Sequence, residues 1–316
     1  MRLHLNNPIA IVICKTIYGK KLSEVRFVSI ANRRKGLTQN LKGTIADKNR
    51  QNIAEKIAEI LGIKFSITTY DKFIEEDIDI LDSTLVANNV KGKFDLVLQS
   101  SDAYCRLGFQ SYFRFFAYKI HLFQYWRKII NYKKVKNLYV FNFHNYKYKF
   151  TNIKIININL TRKNLKQISS KLNTNTNVFL QLNTKKKILL VLPPVRNIVG
   201  VDFHQKFIGY MLEVAKRENM YVVIKPHRGD YTNYSKLQTA QLDLYSNYSE
   251  LRNYPVEFLF SLNQISKILA VPSSSLVFAD YSKLTILVPR DKKLFMRRFL
   301  DQTIYLDNIG VTYSEI

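Results

Sequence analysis

The chain predicts an α/β protein built on parallel sheets in two domains, on three observations. Short apolar runs of strand length alternate with amphipathic stretches of helical period, the pattern of βαβ units. Polar groups stand directly behind such runs: Lys225-Pro226-His227 follows Tyr221–Ile224, and Pro272-Ser273-Ser274-Ser275 follows Lys267–Val271. Ligand loops of α/β folds sit at these C-terminal strand edges. A polar stretch, Asn173-Thr174-Asn175-Thr176, closed by Lys185-Lys186-Lys187, separates two such halves, and 316 residues suffice for two cores. The expected domains are 1–184 and 185–316.

Taken in order, Pro8–Cys14 and Glu24–Ile30 read as strands. Asp47–Leu61 reads as an amphipathic helix, with Ile53, Ile57, Ile60 and Leu61 on one face. Lys64–Thr69 is a short strand, Phe73–Asp82 an acidic exposed stretch, and Phe94–Leu98 a buried strand ending at Gln99-Ser100-Ser101-Asp102. In Arg106–Lys134, Phe109, Phe113, Phe116, Ile120, Phe123 and Ile130 recur mostly at helical spacing among basic residues. That pattern fits a helix packed on the core or a basic aromatic helix in a membrane interface. Leu138–Phe143 and Ile153–Leu160 read as strands, Thr161–Thr184 as a helix and linker, and Ile188–Leu192 as a strand closed by Pro193-Pro194. Phe203–Asn219 is a helix with Phe207, Met211, Leu212 and Ala215 inward, and Tyr221–Ile224 is the strand after it.

Hydrophobic content of 47% and aromatic content of 13% describe a globular chain. Cys14 and Cys105 offer neither a disulfide framework nor metal spacing, so a reducing compartment is expected. The apolar run at the N-terminus is too short for a signal-peptide core, and no run reaches the ~18 residues of a membrane span. No glycine-rich P-loop or dinucleotide fingerprint is present, which removes the basis for ATPase or dehydrogenase readings. Of the net charge of +25, 19 come from one block: Ala103–Val201 holds 19 Lys or Arg and no Asp or Glu. A compositional bias toward lysine accounts for the cations but not for the missing acids. A basic face is expected there, attractive to a polyanion or an anionic membrane.

Three clusters carry the candidate chemistry. Pro226 stiffens the strand exit before His227, whose imidazole can donate to a phosphate or protonate a leaving oxygen; the plain alternative is a histidine in a surface turn. Ser273, Ser274 and Ser275 supply hydroxyls and backbone N–H groups at a strand-to-helix turn, an anion site or an ordinary cap. Glu257, after Pro255, can accept both hydroxyls of a ribose or simply complement a helix dipole. Their spacing lets successive strand edges line one crevice, read as a nucleotide-sugar site.

The order Lys-Pro-His, Pro-x-Glu, Ser-Ser over Ile188–Ala279 resembles the C-terminal domain of bacterial GT-B sialyltransferases, the lipooligosaccharide sialyltransferases and polysialyltransferases among them. The resemblance implies two Rossmann-like domains facing a central cleft. Domain 1–184 would bind the acceptor and domain 185–316 the CMP-sugar. His227 would be the general acid, and Lys225, His227, Arg228, Glu257, Ser273, Ser274 and Ser275 would hold CMP. Arg228 stands where the family has proline. The family's acidic general base maps to Asp102, without the neighbouring acid and glycine. The implied reaction is inverting, needs no metal or other cofactor, and uses CMP-sialic acid as donor. An anionic glycan or glycolipid would be the acceptor, in bacterial capsule or lipooligosaccharide biosynthesis. Arg106, Arg114, Lys119, Arg127, Lys128, Lys133 and Lys134 would form an acceptor or membrane face of a cytoplasmic enzyme peripheral on the inner membrane. No specific nucleic-acid partner is expected. The alternatives are a basic nucleic-acid-binding protein and a catalytically inactive GT-B partner protein.

Overall fold

The computed structural model describes residues 1–5, 7–29, 41–73, 75–82, 91–97, 134–141, 154–158, 165–166, 168–169, 171, 182, 187–227, 230, 232–237, 242–246, 248–252, 254–291, 311 and 313–316. The chain divides into two compact units, Met1–Asn164 and Leu165–Ile316. This division at 164/165 precedes the boundary expected at 184/185. The helical residues Leu165, Lys166, Ile168, Ser169 and Lys171 group with the second unit, where Lys166 Nζ donates to Asn263 Oδ1 at 3.5 Å.

The α/β class is as expected, and each unit is Rossmann-like. The first sheet contains β1 (Arg2–Leu5), β2 (Glu24–Ser29), β3 (Lys64–Thr69), β4 (Ile80–Leu81), β5 (Phe94–Val97), β6 (Val135–Phe141) and β7 (Lys154–Ile158). Its order is β3-β2-β1-β4-β5-β6-β7, with every described pair parallel. The second contains β8 (Ile188–Leu192), β9 (Tyr221–Ile224), β10 (Ile265–Ala270), β11 (Leu284–Val288) and β12 (Tyr313–Glu315). Its order is β12-β11-β10-β8-β9, again parallel throughout. Strand order reverses between β1 and β4 in the first sheet and between β8 and β10 in the second. Such reversals open the crevices in which α/β sheets bind ligands.

Two expectations are corrected. The run predicted as a strand over Pro8–Cys14 is the body of helix α1 (Ile9–Tyr18). Pro8 fits the start of a helix, where no N–H is needed, and Asn7 stands before it, its carbonyl taking the Ala10 N–H at 3.1 Å. All of Ile9–Cys14 is buried, so the run shows no polar face, and a short uniformly apolar run reads the same in either structure. The strand itself is Arg2–Leu5. The second correction is Phe73–Asp82, expected to be exposed. Phe73, Ile78, Ile80 and Leu81 are buried, and Ile80–Leu81 is β4, wedged between β1 and β5. Asp82, just beyond it, accepts the Asn7 N–H at 2.8 Å beside the start of α1.

Helix α2 (Leu41–Ile60) buries Ala54, Ile57 and Ala58. Helix α3 (Val201–Glu218) buries Phe203, Phe207, Met211, Val214 and Ala215. Asp202 in its first turn and Lys216 and Arg217 in its last complement the helix dipole. Asn219 ends it in the left-handed conformation that asparagine tolerates. Glu218 then takes Lys267 Nζ at 2.6 Å, fixing the helix end to β10. Among the described residues no helix is long and apolar enough to cross a membrane.

Candidate functional site

In the second unit the first and third motifs follow parallel strands, and the second packs against the third. At the exit of β9, the Lys225 N–H donates to Val191 O at 2.8 Å and so extends the β8–β9 pairing by one residue. Lys225 Nζ donates to Pro226 O and to Arg252 O, both at 3.0 Å. Its ammonium therefore ties the strand exit to the segment that leads into Pro255 and Glu257. His227 is exposed at the end of this segment. Arg228 lies outside the described residues, as do Asp102, Arg106, Arg114, Lys119, Arg127, Lys128 and Lys133. Of Arg106–Lys134 only Lys134 is described, at the start of β6.

Glu257 sits in the first turn of the short helix Val256–Leu259, behind Pro255 in an extended conformation. It is a buried acid, not a residue of a strand edge. Its turn packs against the 3-10 turn Ser274–Phe278. Ser273 precedes that turn with extended backbone, φ −147° and ψ 145°, and makes no side-chain capping bond. Its Oγ lies 3.1 Å from Ser275 Oγ instead. When one hydroxyl donates to the other, the second proton of the pair remains to donate elsewhere. The pair follows β10, at the reversal against β8. His227 follows β9, on the other side of β8, so roughly 10 Å separates the two strands that carry the pair and the imidazole. Lys225 joins the first motif to the second, and the helical turn at Glu257 joins the second to the third.

A buried polar chain supports the His227 loop. The Asp230 N–H donates to His227 O at 2.9 Å. The Asp230 carboxylate accepts from the Thr232 N–H (3.0 Å), Thr232 Oγ1 (2.6 Å) and the Tyr234 hydroxyl (2.5 Å). His204 Nε2 lies 3.3 Å from the same hydroxyl. Because the Tyr234 proton goes to Asp230, His204 must donate its Nε2–H to Tyr234. His204, Asp230 and Tyr234 are all buried. Burial lowers the His204 pKa, against the pull of Asp230 and helped by Arg196. Burial and the bond to Asp230 raise that of Tyr234. None of the three was read as functional in the sequence. The spacing Asp230-x-Thr232 is a turn signature in which the carboxylate binds backbone two residues on. Nothing in α3 marks His204, since its partner is thirty positions away.

The first unit holds a comparable cluster. His4 on β1 is fully buried, with Nε2 2.9 Å from Glu76 Oε2. Arg26 on β2 pairs with Glu76 and Glu24, and Thr68 Oγ1 donates to Glu76 at 3.2 Å. The close carboxylate would ordinarily raise the His4 pKa, yet burial outweighs it and lowers the value. Arg26 supplies the charge balance for Glu76, and His4 Nδ1 finds no hydrogen-bond partner among the described residues. A second proton there would be a buried, unsatisfied donor, so His4 is neutral.

Both histidines have folded pKa values below the ordinary 6.5. The unfolded chain therefore binds more protons between those lowered values and 6.5. Their contribution is complete above about pH 6.5 and declines as the pH falls. Melting temperature is expected to drop below that point, and to drop less steeply in His204→Gln, which keeps a donor for Tyr234. A flat profile down to about pH 5 would contradict the neutral assignments.

Among the described residues no group of three His, Cys, Asp or Glu is placed to hold a metal. Neither protein-family descriptions nor curated sequences match the chain. Solved structures similar to it include the GT-B domain of a sialyltransferase from Photobacterium damselae, at 9% identity and TM-score 0.46, covering 98% of this chain and 97% of that one. Another is a sialyltransferase from Photobacterium damsela, at 10% identity and TM-score 0.43, covering 100% of this chain and 81% of the other.

Proposed function

We propose that the chain is a GT-B glycosyltransferase built of two Rossmann-like units. In this reading it transfers sialic acid from CMP-sialic acid, with inversion, to a cell-surface glycan. The observation that supports it best is the continuity of the three motifs: the Lys225 tie to Arg252, the packing of the Glu257 turn on the serine turn, and the Ser273–Ser275 pair at the strand reversal. The serine hydroxyls would donate to the CMP phosphate, Glu257 would accept the ribose hydroxyls, and His227 would protonate the departing phosphate oxygen. Lys225 would hold the donor site together besides facing it, and Arg228 would add a phosphate contact. Asp102 would deprotonate the acceptor. The chemistry would need no metal. The acidic acceptor, an oligosialyl or lipooligosaccharide chain, would be drawn by the basic block, with the enzyme on the cytoplasmic side of a bacterial inner membrane.

CMP release from CMP-sialic acid tests this, with oligosialic acid or lipooligosaccharide as acceptor and UDP-sugars as control donors. Release that depends on the acceptor and is restricted to the CMP donor is expected. Glu257→Ala is expected to weaken CMP binding by about tenfold to a hundredfold through loss of charge-assisted ribose bonds. CMP binding without turnover of any donor would favour an inactive partner protein. Salt-dependent binding of oligonucleotides without CMP recognition would favour a nucleic-acid-binding protein.

A further inference from the structure

Among the described residues of the first unit, several exposed lysines stand where neighbouring strands begin, opposite to the edge where α/β sheets bind ligands. β5, β6 and β7 are parallel neighbours, so their first residues lie side by side. Lys91 and Lys93 precede β5, Lys134 and Lys136 bracket the first residue of β6, and Lys154 opens β7. Register pairs Phe94 with Val135 and Asn137 with Lys154. Five lysines thus fall on three strand starts, about 10 Å across. Lys91, Lys93, Lys136 and Lys154 are exposed, and none of these four forms an ion pair among the described residues.

Three acids stand nearby, so the five lysines leave an excess of two positive charges. Asp95 is buried and takes the Tyr18 hydroxyl and the Asn137 amide. The Asp79 carboxylate accepts the Arg2 N–H. Asp77, bridged to Lys91 through the backbone, is the exposed acid of the three.

We propose that these strand starts form a docking surface for anionic phospholipid headgroups. The surface deepens the membrane contact within the proposed function and is independent of the nucleotide site. Four to eight clustered lysines or arginines draw a protein to an anionic leaflet. The opposite edge of the sheet lies a strand length away, roughly 13–23 Å, so these lysines are no part of a crevice there. A single-stranded nucleic acid would need rings on which bases stack. Of the described rings beside these positions, Phe94 and Tyr139 are buried, and Tyr18 is half-buried with its hydroxyl on Asp95.

The test is co-sedimentation with vesicles of phosphatidylcholine alone or with about 30% phosphatidylglycerol, at about 0.1 M salt. The proteins are wild type, a variant combining Lys91→Gln, Lys93→Gln, Lys136→Gln and Lys154→Gln, and a control combining Lys187→Gln, Lys206→Gln, Lys216→Gln and Lys236→Gln. The control has the same charge change at exposed positions of the other unit. Wild type and control are expected to bind the anionic vesicles, and the strand-start variant to lose at least about tenfold in partitioning. Its thermal response to CMP should be unchanged, which separates this outcome from failure of the nucleotide site. Equal loss in both variants would overturn the proposal by showing a net-charge effect. Wild type that ignores anionic vesicles would overturn it too, as would a strand-start variant that keeps vesicle binding but loses binding to an oligonucleotide.

Discussion

Under the proposed function, His227→Ala is expected to lower sialyl transfer by about 10²–10⁴-fold, the range for a removed general acid. The substitution falls on an exposed side chain at the end of β9. The backbone bonds that fix the loop, Lys225 N–H to Val191 O and Asp230 N–H to His227 O, do not depend on the imidazole. Melting temperature without ligand should therefore stay within about a degree or two of wild type, as for surface changes. The loss should be mostly in kcat if His227 protonates the leaving oxygen. It should appear in KM if the ring only contacts the ground-state phosphate. His227→Gln, which can donate a hydrogen bond but not a proton, separates the two: it restores binding and leaves kcat low. Full activity in both variants would remove His227 from the mechanism.

Asp230→Ala carries the largest expected cost in stability, about 3 kcal/mol. It removes the acceptor of the Thr232 N–H, Thr232 Oγ1 and Tyr234 hydroxyl, all beneath the His227 loop. Asp230 is 2% exposed and Tyr234 1%, so water does not replace the lost partner. A buried donor left unsatisfied costs about 1–3 kcal/mol and each lost bond about 1 kcal/mol. Tyr234→Phe should cost less, about 1–2 kcal/mol, because Asp230 keeps both bonds from Thr232. Denaturant unfolding of wild type and both variants measures the differences. An unchanged midpoint for Asp230→Ala would mean that the chain through His204 is not what holds the loop.

Much of the architecture was legible because parallel strands buried on both faces leave short apolar runs. Phe94–Val97, Ile188–Leu192 and Tyr221–Ile224 were read close to their observed bounds for that reason, whereas Glu24–Ser29 and Lys64–Thr69, only partly buried, were legible from their β-branched and aromatic residues. The same property misled at Ile9–Cys14, where a helix buried all round has no polar stripe to betray its period. It also hid β4, two residues inside an acidic stretch, whose burial comes from its neighbours β1 and β5. β12 went unread for the same reason, being defined by its pairing with β11; β11 itself, Leu284–Val288, carries the same apolar run as the strands that were read and was overlooked. Within the candidate site, the placement of Ser273 and His227 at strand ends was visible locally. The position of Glu257 on a helical turn, the structural tie made by Lys225 and the chain from His204 through Tyr234 to Asp230 were not. Each of these joins residues far apart in sequence, and no local pattern encodes such a pairing.

Thermal unfolding with CMP, against UMP, GMP and AMP, tests the central claim most directly. Nucleotide at about a hundredfold its dissociation constant stabilises a protein by roughly 2.7 kcal/mol, a shift of several degrees. The account predicts a shift for CMP that exceeds those of the other nucleotides and shrinks in His227→Ala and Glu257→Ala. No shift with any nucleotide would contradict the glycosyltransferase reading and leave the basic surfaces as the chain's functional feature.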